Sequence, residues 1–273
     1  MLQDVYLSVI VPAYNEAERL PKTLKRFDEY LTATGFAYEI LVVLDGPSDN
    51  TREVLREMLR EIPNLKVIDR PVNRGKGHTV KEGMRRAAGR IRLFTDADNS
   101  TDIAHFEKMK PFFNEGYDLV IASRNSKDAP NAEEAVPQAW YKRWTGRVGN
   151  LFVQLLAVPG IWDTQCGFKA FRAEVAERIF SDTKIEGWGF DIEVLALARA
   201  FNYKIGIIPA HWVMTQEVMF DGSTTYRFLE IPSESELISE PASTAFESDP
   251  QCRRRWTCAT PRSTQCRWVS DDE

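Results

Sequence analysis

Apolar positions along this chain fall into short unbroken runs separated by amphipathic stretches, and the two kinds alternate up to about residue 213. Residues 5–11 (VYLSVIV) form a near-continuous apolar strand closed by Pro12. Residues 16–31 carry apolar side chains at helical spacing, with Pro21 admissible only near the start, where a missing N–H costs nothing. Residues 38–44 (YEILVVL) predict a second buried strand turned by "DGPSDNT", residues 51–59 an amphipathic helix, and residues 65–68 a short strand. A helix opening on glycines follows over 75–88, then a strand at 91–94, a helix at 103–114 and a strand at 118–122.

Residues 125–139 read as a mobile surface loop. The stretch 140–158 predicts an amphipathic helix with Trp140, Trp144, Val148, Leu151, Phe152 and Leu155 on one stripe, suited to core packing or to leaning on a membrane. A short strand at 168–171 and a helix after Ala173 come next. A Gly-Trp-Gly turn precedes a helix starting near Phe190, and a last strand covers 203–208. Residues 222–273 are rich in Ser, Thr, Glu and Pro with little apolar periodicity, and read as a disordered tail after a domain spanning 1–221.

Strands apolar on both faces and alternating with helices predict an α/β fold with a mostly parallel sheet covered on both sides. In such a sheet ligands bind where the strands end. Those ends carry "PAYNE", "LDGPSD", "DADNS" and "ASRN", so acidic and polar loops with one arginine gather on one edge. Asp96 and Asp98 aim two carboxylates at the same small space, which demands protonation, a cationic partner or a metal. An Asp-rich turn with both side chains solvated is the alternative.

Composition narrows the classes. A net charge of -5 gives no basic signature for nucleic acid. No apolar run approaches the ~20 residues of a membrane span, and no secretory leader precedes the first strand, so a cytoplasmic protein is expected. Of four cysteines, Cys252, Cys258 and Cys266 lie in the polar tail at spacings unlike a zinc site. Cys166 reads as small and buried rather than nucleophilic.

The segments "SVIVPAYNEAERL", "EILVVLDGPSDNT", "NRGKGHTVKEGM", "LFTDADNST", "DLVIASR" and "DTQCGFKAF…WGFDIEVL" resemble family-2 glycosyltransferases of the GT-A (Rossmann-like) fold over about residues 5–213. Within them, the chain is most similar to the dolichyl-phosphate β-glucosyltransferase group and other polyprenyl-phosphate sugar transferases. The resemblance implies an inverting enzyme moving a hexose, from UDP-glucose, to polyprenyl phosphate. Pro12, Tyr14 and Glu16 would border the nucleobase and ribose, and Asp45 would bond the base, with Leu44 standing where the family usually has a first aspartate. Gly75, Lys76 and Gly77 would approach the donor, Lys76 as a phosphate partner or as a solvated surface lysine. Asp96 and Asp98 would hold Mg²⁺ or Mn²⁺, which take oxygen ligands and substrate phosphates. Arg124 would clamp a phosphate, or else form a surface ion pair.

Asp163, Gln165 and Cys166 would line the sugar pocket. Trp188 would offer an apolar platform or pack in the core, and Asp191 stands where inverting relatives carry a general base. The implied partners are a nucleotide-sugar donor and a polyprenyl-phosphate lipid met peripherally at the cytosolic face of a membrane. Two other readings stay open: a transferase with a soluble or glycan acceptor, and an inactive nucleotide-binding module.

Overall fold

The computed structural model describes residues 5–130, 133–134 and 158–212, with the side chains of 133–134 and 211–212 excepted; these residues lie in one compact unit, Met1–Glu217. The first strand, β1 (Leu7–Ala13), lies inside the sheet and has no exposed position. On one side it pairs in parallel with β2 (Tyr38–Asp45), which pairs with β3 (Leu65–Arg70). On the other side it pairs in parallel with β4 (Ile91–Thr95). The seven-stranded order is β3-β2-β1-β4-β7-β5-β8, with β5 at Leu119–Ser123, β7 at Phe168–Arg172 and β8 at Ile205–Pro209. All pairings are parallel except those of β7, which runs antiparallel between β4 and β5. Because Phe168 faces Thr95 in that register, the segment leading into β7 lies at the edge where the parallel strands end.

Side chains alternate across the strands and so build two cores. Leu7, Val9 and Val11 face α1 (Leu20–Thr34), α2 (Thr51–Glu61) and α4 (Phe106–Asn114). Ile10, Leu41 and Val43 face α3 (Lys76–Arg86), α5 (Ala173–Asp182) and α6 (Phe190–Ala200). Helices on both faces of a mostly parallel sheet are what the hydrophobic pattern predicts. Gly83 lets α3 lie close on β1, since a Cβ there would stand 2.5 Å from Ile10 Cγ2.

Several boundaries differ from expectation for local reasons. The helix α1 begins at Leu20, not at residue 16; residues 17–19 form a turn closed by Leu20 N donating to Glu16 O at 3.0 Å, and the N–H groups of Glu16 and Ala17 donate to the side chains of Thr51 and Asp49. Residues Ile103–His105 form a 3₁₀ turn before α4, capped where the Asp102 carboxylate accepts from Ala104 N at 2.8 Å. Within the expected loop 125–139, β6 (Glu133–Glu134) pairs in parallel with β9 (His211–Trp212). Two glutamates carry no apolar alternation by which a strand could be recognised. The expected helix at 140–157 and the tail at 222–273 lie outside the described residues. Among the described residues, no helix is long and apolar enough to cross a membrane.

Candidate active site at the strand ends

The loop after β1 is built by side chains bonding backbone. Asn15 takes a left-handed conformation (φ 56) and its Oδ1 accepts from Ser48 N at 2.8 Å, tying this loop to the one after β2. Pro12 closes the apolar part of β1, and Tyr14 beyond it stands 48% exposed. Glu16 forms a two-pronged ion pair with Arg19. Burial pushes the Glu16 carboxyl above its ordinary value against the pull of Arg19, and the charges of Asp98 and Asp96 add to the rise. Glu16 therefore feels the two aspartates.

Asp45 ends β2 almost fully buried, and its two oxygens accept from Arg74 N and Gly75 N, each at 2.8 Å. Its geometry here shapes the loop that starts α3, with the Arg70 guanidinium 3.4 Å away. Gly75 needs its glycine: φ is +97, and a Cβ would stand 2.6 Å from Glu186 O. Lys76 follows as the first residue of α3. Its ammonium sits 2.5 Å from Asp96 Oδ1, 4.9 Å from the Trp188 ring centroid and 5.7 Å from that of Phe94.

Asp96 and Asp98 flank Ala97, which is buried and whose carbonyl accepts from Thr23 Oγ1 at 2.8 Å. That bond anchors the turn to α1 and leaves both carboxylates partly exposed. Asn99 is left-handed (φ 52), and Ser100 N donates to Asp98 Oδ1 at 2.9 Å. Asp96 lies against Gly167, where a Cβ would stand 2.0 Å from Oδ2. The donor set suits a hard divalent cation completed by substrate oxygens. It offers two partly exposed carboxylates, of which one already holds a cation, the Lys76 ammonium. Among the described residues no third histidine, cysteine or acidic side chain closes a cage around them. Asn99 Oδ1, one residue beyond, is a buried oxygen without a hydrogen-bond partner.

Arg124, at the end of β5, does not stand free for a phosphate. Its Nε and Nη2 grip both oxygens of Asp163 at 2.8 and 2.9 Å. Burial alone would raise the Asp163 carboxyl, but this arginine holds it below the usual carboxylate range. Asp128 fixes the same segment, accepting from Trp162 N at 2.7 Å, Asp163 N at 2.8 Å and Ser123 Oγ at 2.6 Å. The sequence gives no signal for Asp128, which lies in a stretch that reads as mobile loop.

Beyond Asp163, Gln165 is exposed and Cys166 is buried, its thiol pushed up to about 11 by burial, so it is no nucleophile at neutral pH. Trp188 is 75% exposed, so it does not pack in the core. Asp191, in the first turn of α6, is 3% exposed and pairs with Lys169 Nζ at 2.5 Å. Burial raises its carboxyl, and Lys169 opposes the rise. Lys169 is fully buried within β7 and also donates to Cys166 O at 2.5 Å. Sequence reasoning missed this lysine, although "GFKAF" signals it. A charge inside a strand buried on both faces needs a partner.

The sequence profile described as "Glycosyl transferase family 2" matches residues 8–180. The chain belongs to this family. It is 35% identical over 220 residues to a protein of Dictyostelium discoideum named dolichyl-phosphate beta-glucosyltransferase, covering 77% of this chain and 67% of that one. A human protein of the same name is 35% identical over 216 residues, covering 76% and 67%. The chain thus spans about two thirds of the length of the curated relatives it matches. Among solved structures, glucosyl-3-phosphoglycerate synthase of M. tuberculosis superposes with a TM-score of 0.55 at 20% identity, over 75% of this chain and 71% of that one. A mannosyltransferase from Pyrobaculum calidifontis, described in complex with GDP-Man and Mn²⁺, gives 0.51 at 20% identity, over 74% and 54%. These likenesses establish the GT-A fold for this family-2 glycosyltransferase. The end of β2 and the loops after β1 and β4 carry Asp45, Glu16, Asp96 and Asp98, while the start of α3 sets Lys76 against Asp96 and Trp188, the latter in the turn before the helix that carries Asp191.

Proposed function

We infer that this glycosyltransferase moves glucose from UDP-glucose onto dolichyl or another polyprenyl phosphate, with inversion at the anomeric carbon. The observation that carries this reading is the 35% identity over 220 residues to a relative named for glucosyl transfer to dolichyl phosphate. In this reading Pro12, Tyr14 and Glu16 border the nucleoside, and Asp45 acts through the Gly75–Gly77 loop it holds as well as at the base. Asp96 and Asp98 would hold Mg²⁺ or Mn²⁺, which neutralises charge on the departing diphosphate as a Lewis acid. Lys76 adds its ammonium to the same diphosphate.

An oxygen of the acceptor phosphate attacks the anomeric carbon as the bond to UDP breaks, giving a β-linked lipid sugar. A phosphate monoester with a second pKa of about 6 is already ionised at neutral pH, so the attack needs no strong base. Asp191, held by Lys169, is therefore a positioning charge rather than a proton acceptor. Trp188 offers its exposed face and Gln165 its exposed amide to the sugar. Arg124 acts by locking Asp163 beside the pocket. The lipid phosphate is met peripherally, at the cytosolic leaflet.

The reading is tested by offering UDP-glucose, GDP-mannose and UDP-N-acetylglucosamine separately, with dolichyl phosphate present and absent. Consumption of UDP-glucose that requires the lipid is expected. Equal consumption without lipid, or a preference for GDP-mannose, would contradict it.

A further inference from the structure

The contact between Lys76 and Asp96 joins two groups that the proposed reaction uses separately, one on the diphosphate and one on the metal. We propose that Lys76 is a built-in cation for the metal-free site. Its ammonium holds Asp96 until a divalent cation takes the carboxylate, and the released lysine then meets the donor diphosphate, so metal and nucleotide load cooperatively. This rests on the assignment of Asp96 and Asp98 to a metal under the proposed function.

Four observations lead to it. The ammonium lies 2.5 Å from Asp96 Oδ1, with 16% and 30% of the two side chains exposed, so the pair is partly shielded from solvent competition. Asp96 is backed by Gly167, a position where even a methyl group would collide with Oδ2. The carboxylate therefore has no room to shift toward Gly167, and any relief of the lysine contact has to come from Lys76 itself or from rotation the other way. An ammonium on Oδ1 and a divalent ion on the same carboxylate repel each other, so arrival of the metal weakens the Lys76 contact and favours its exchange. Lastly, Lys76 has somewhere to go. It opens α3 and its flexible stem places a point charge with three rotatable donors, while the Trp188 ring, already 4.9 Å from the ammonium, supports the cation when the carboxylate is taken.

Exchange has a thermodynamic signature. The metal alone must displace the lysine, whereas metal arriving with a diphosphate gives the lysine a new anion. Each ligand then tightens the other by the same factor. Removing the charge of Lys76 should lift the first cost and abolish the second gain.

The test is Mn²⁺ binding to the whole chain, followed by electron paramagnetic resonance of free Mn²⁺, with and without UDP. Lys76→Met and Lys76→Gln should bind Mn²⁺ alone about tenfold more tightly than wild type, while the tightening by UDP shrinks by a similar factor. Lys76→Arg, which keeps the charge, should bind Mn²⁺ alone as weakly as wild type. Melting curves for each variant confirm that the fold is retained. Two neutral variants that agree separate the charge effect from any local damage. Mn²⁺ affinity unchanged or weaker in both neutral variants would overturn the exchange, while lipid-dependent transfer by the wild type would leave the proposed function standing. Failure of every form to take up Mn²⁺, together with transfer that survives chelation, would overturn the exchange and the metal assignment alike.

Discussion

At the scale of single residues, two ion pairs brace this edge, one fully buried and one partly exposed. Lys169 and Asp191 are both nearly inaccessible, so removing one partner strands a charge. Lys169→Met should cost about 3–5 kcal/mol at neutral pH in urea unfolding, and the deficit should shrink as pH falls and Asp191 takes up a proton. The double variant Lys169→Met/Asp191→Leu should recover most of that stability while transfer stays lost, separating the structural role of the pair from its role in turnover. Arg124 and Asp163 give a second pH signature. Asp163 is held below its usual range, so its contribution is present above the unfolded value near 3.8 and is lost as pH falls through the lower folded value. The melting temperature of Arg124→Met should therefore trail wild type most at neutral pH, and the gap should close below about pH 4. Because Arg124 keeps 28% exposure, about 2 kcal/mol is expected rather than the full cost of breaking a buried pair.

At the scale of elements, two glycines with no room for a Cβ should respond differently to alanine. At Gly77 a Cβ would meet Ile185 O at 2.5 Å and Phe190 Cβ at 2.7 Å, so backbone must move and the start of α6 with it. At Gly167 the obstacle is the end of the Asp96 side chain, which can rotate. Gly77→Ala should lower the melting temperature markedly. Gly167→Ala should leave it nearly unchanged and lose transfer by displacing a carboxylate, as parallel melting and activity measurements would show. Strands β1, β2, β4 and β5 were legible in the sequence because a strand buried on both faces writes a largely apolar run, and Asp96 and Asp98 were legible because they follow where one ends. The start of α1 was not, since the N–H groups of Glu16 and Ala17 bond to Thr51 and Asp49, more than thirty residues away, and no local pattern announces those partners. Nor was the pairing of Arg124 with Asp163, because a sequence shows that an arginine ends a strand but not which carboxylate reaches it. Lys169 was legible in principle and overlooked, hidden inside a motif valued for its resemblance.

At the scale of the whole molecule, the described sheet and helices form the unit that should fold by itself. Truncation after residue 221 removes a segment rich in Ser, Thr, Glu and Pro with little apolar surface to bury, and should leave the melting temperature and cooperativity close to those of the full chain. A large loss on truncation would show that the tail packs. The proposed reaction is transfer of glucose to a lipid phosphate at this edge of the sheet, through Asp96 and Asp98. The most direct measurement follows label from UDP-[¹⁴C]glucose into the organic phase with dolichyl phosphate and Mn²⁺, for wild type and Asp98→Asn. The account predicts lipid-dependent label for wild type and near-complete loss in the variant at an unchanged melting temperature. Label equally transferred to a soluble acceptor, or full activity in Asp98→Asn, would contradict it.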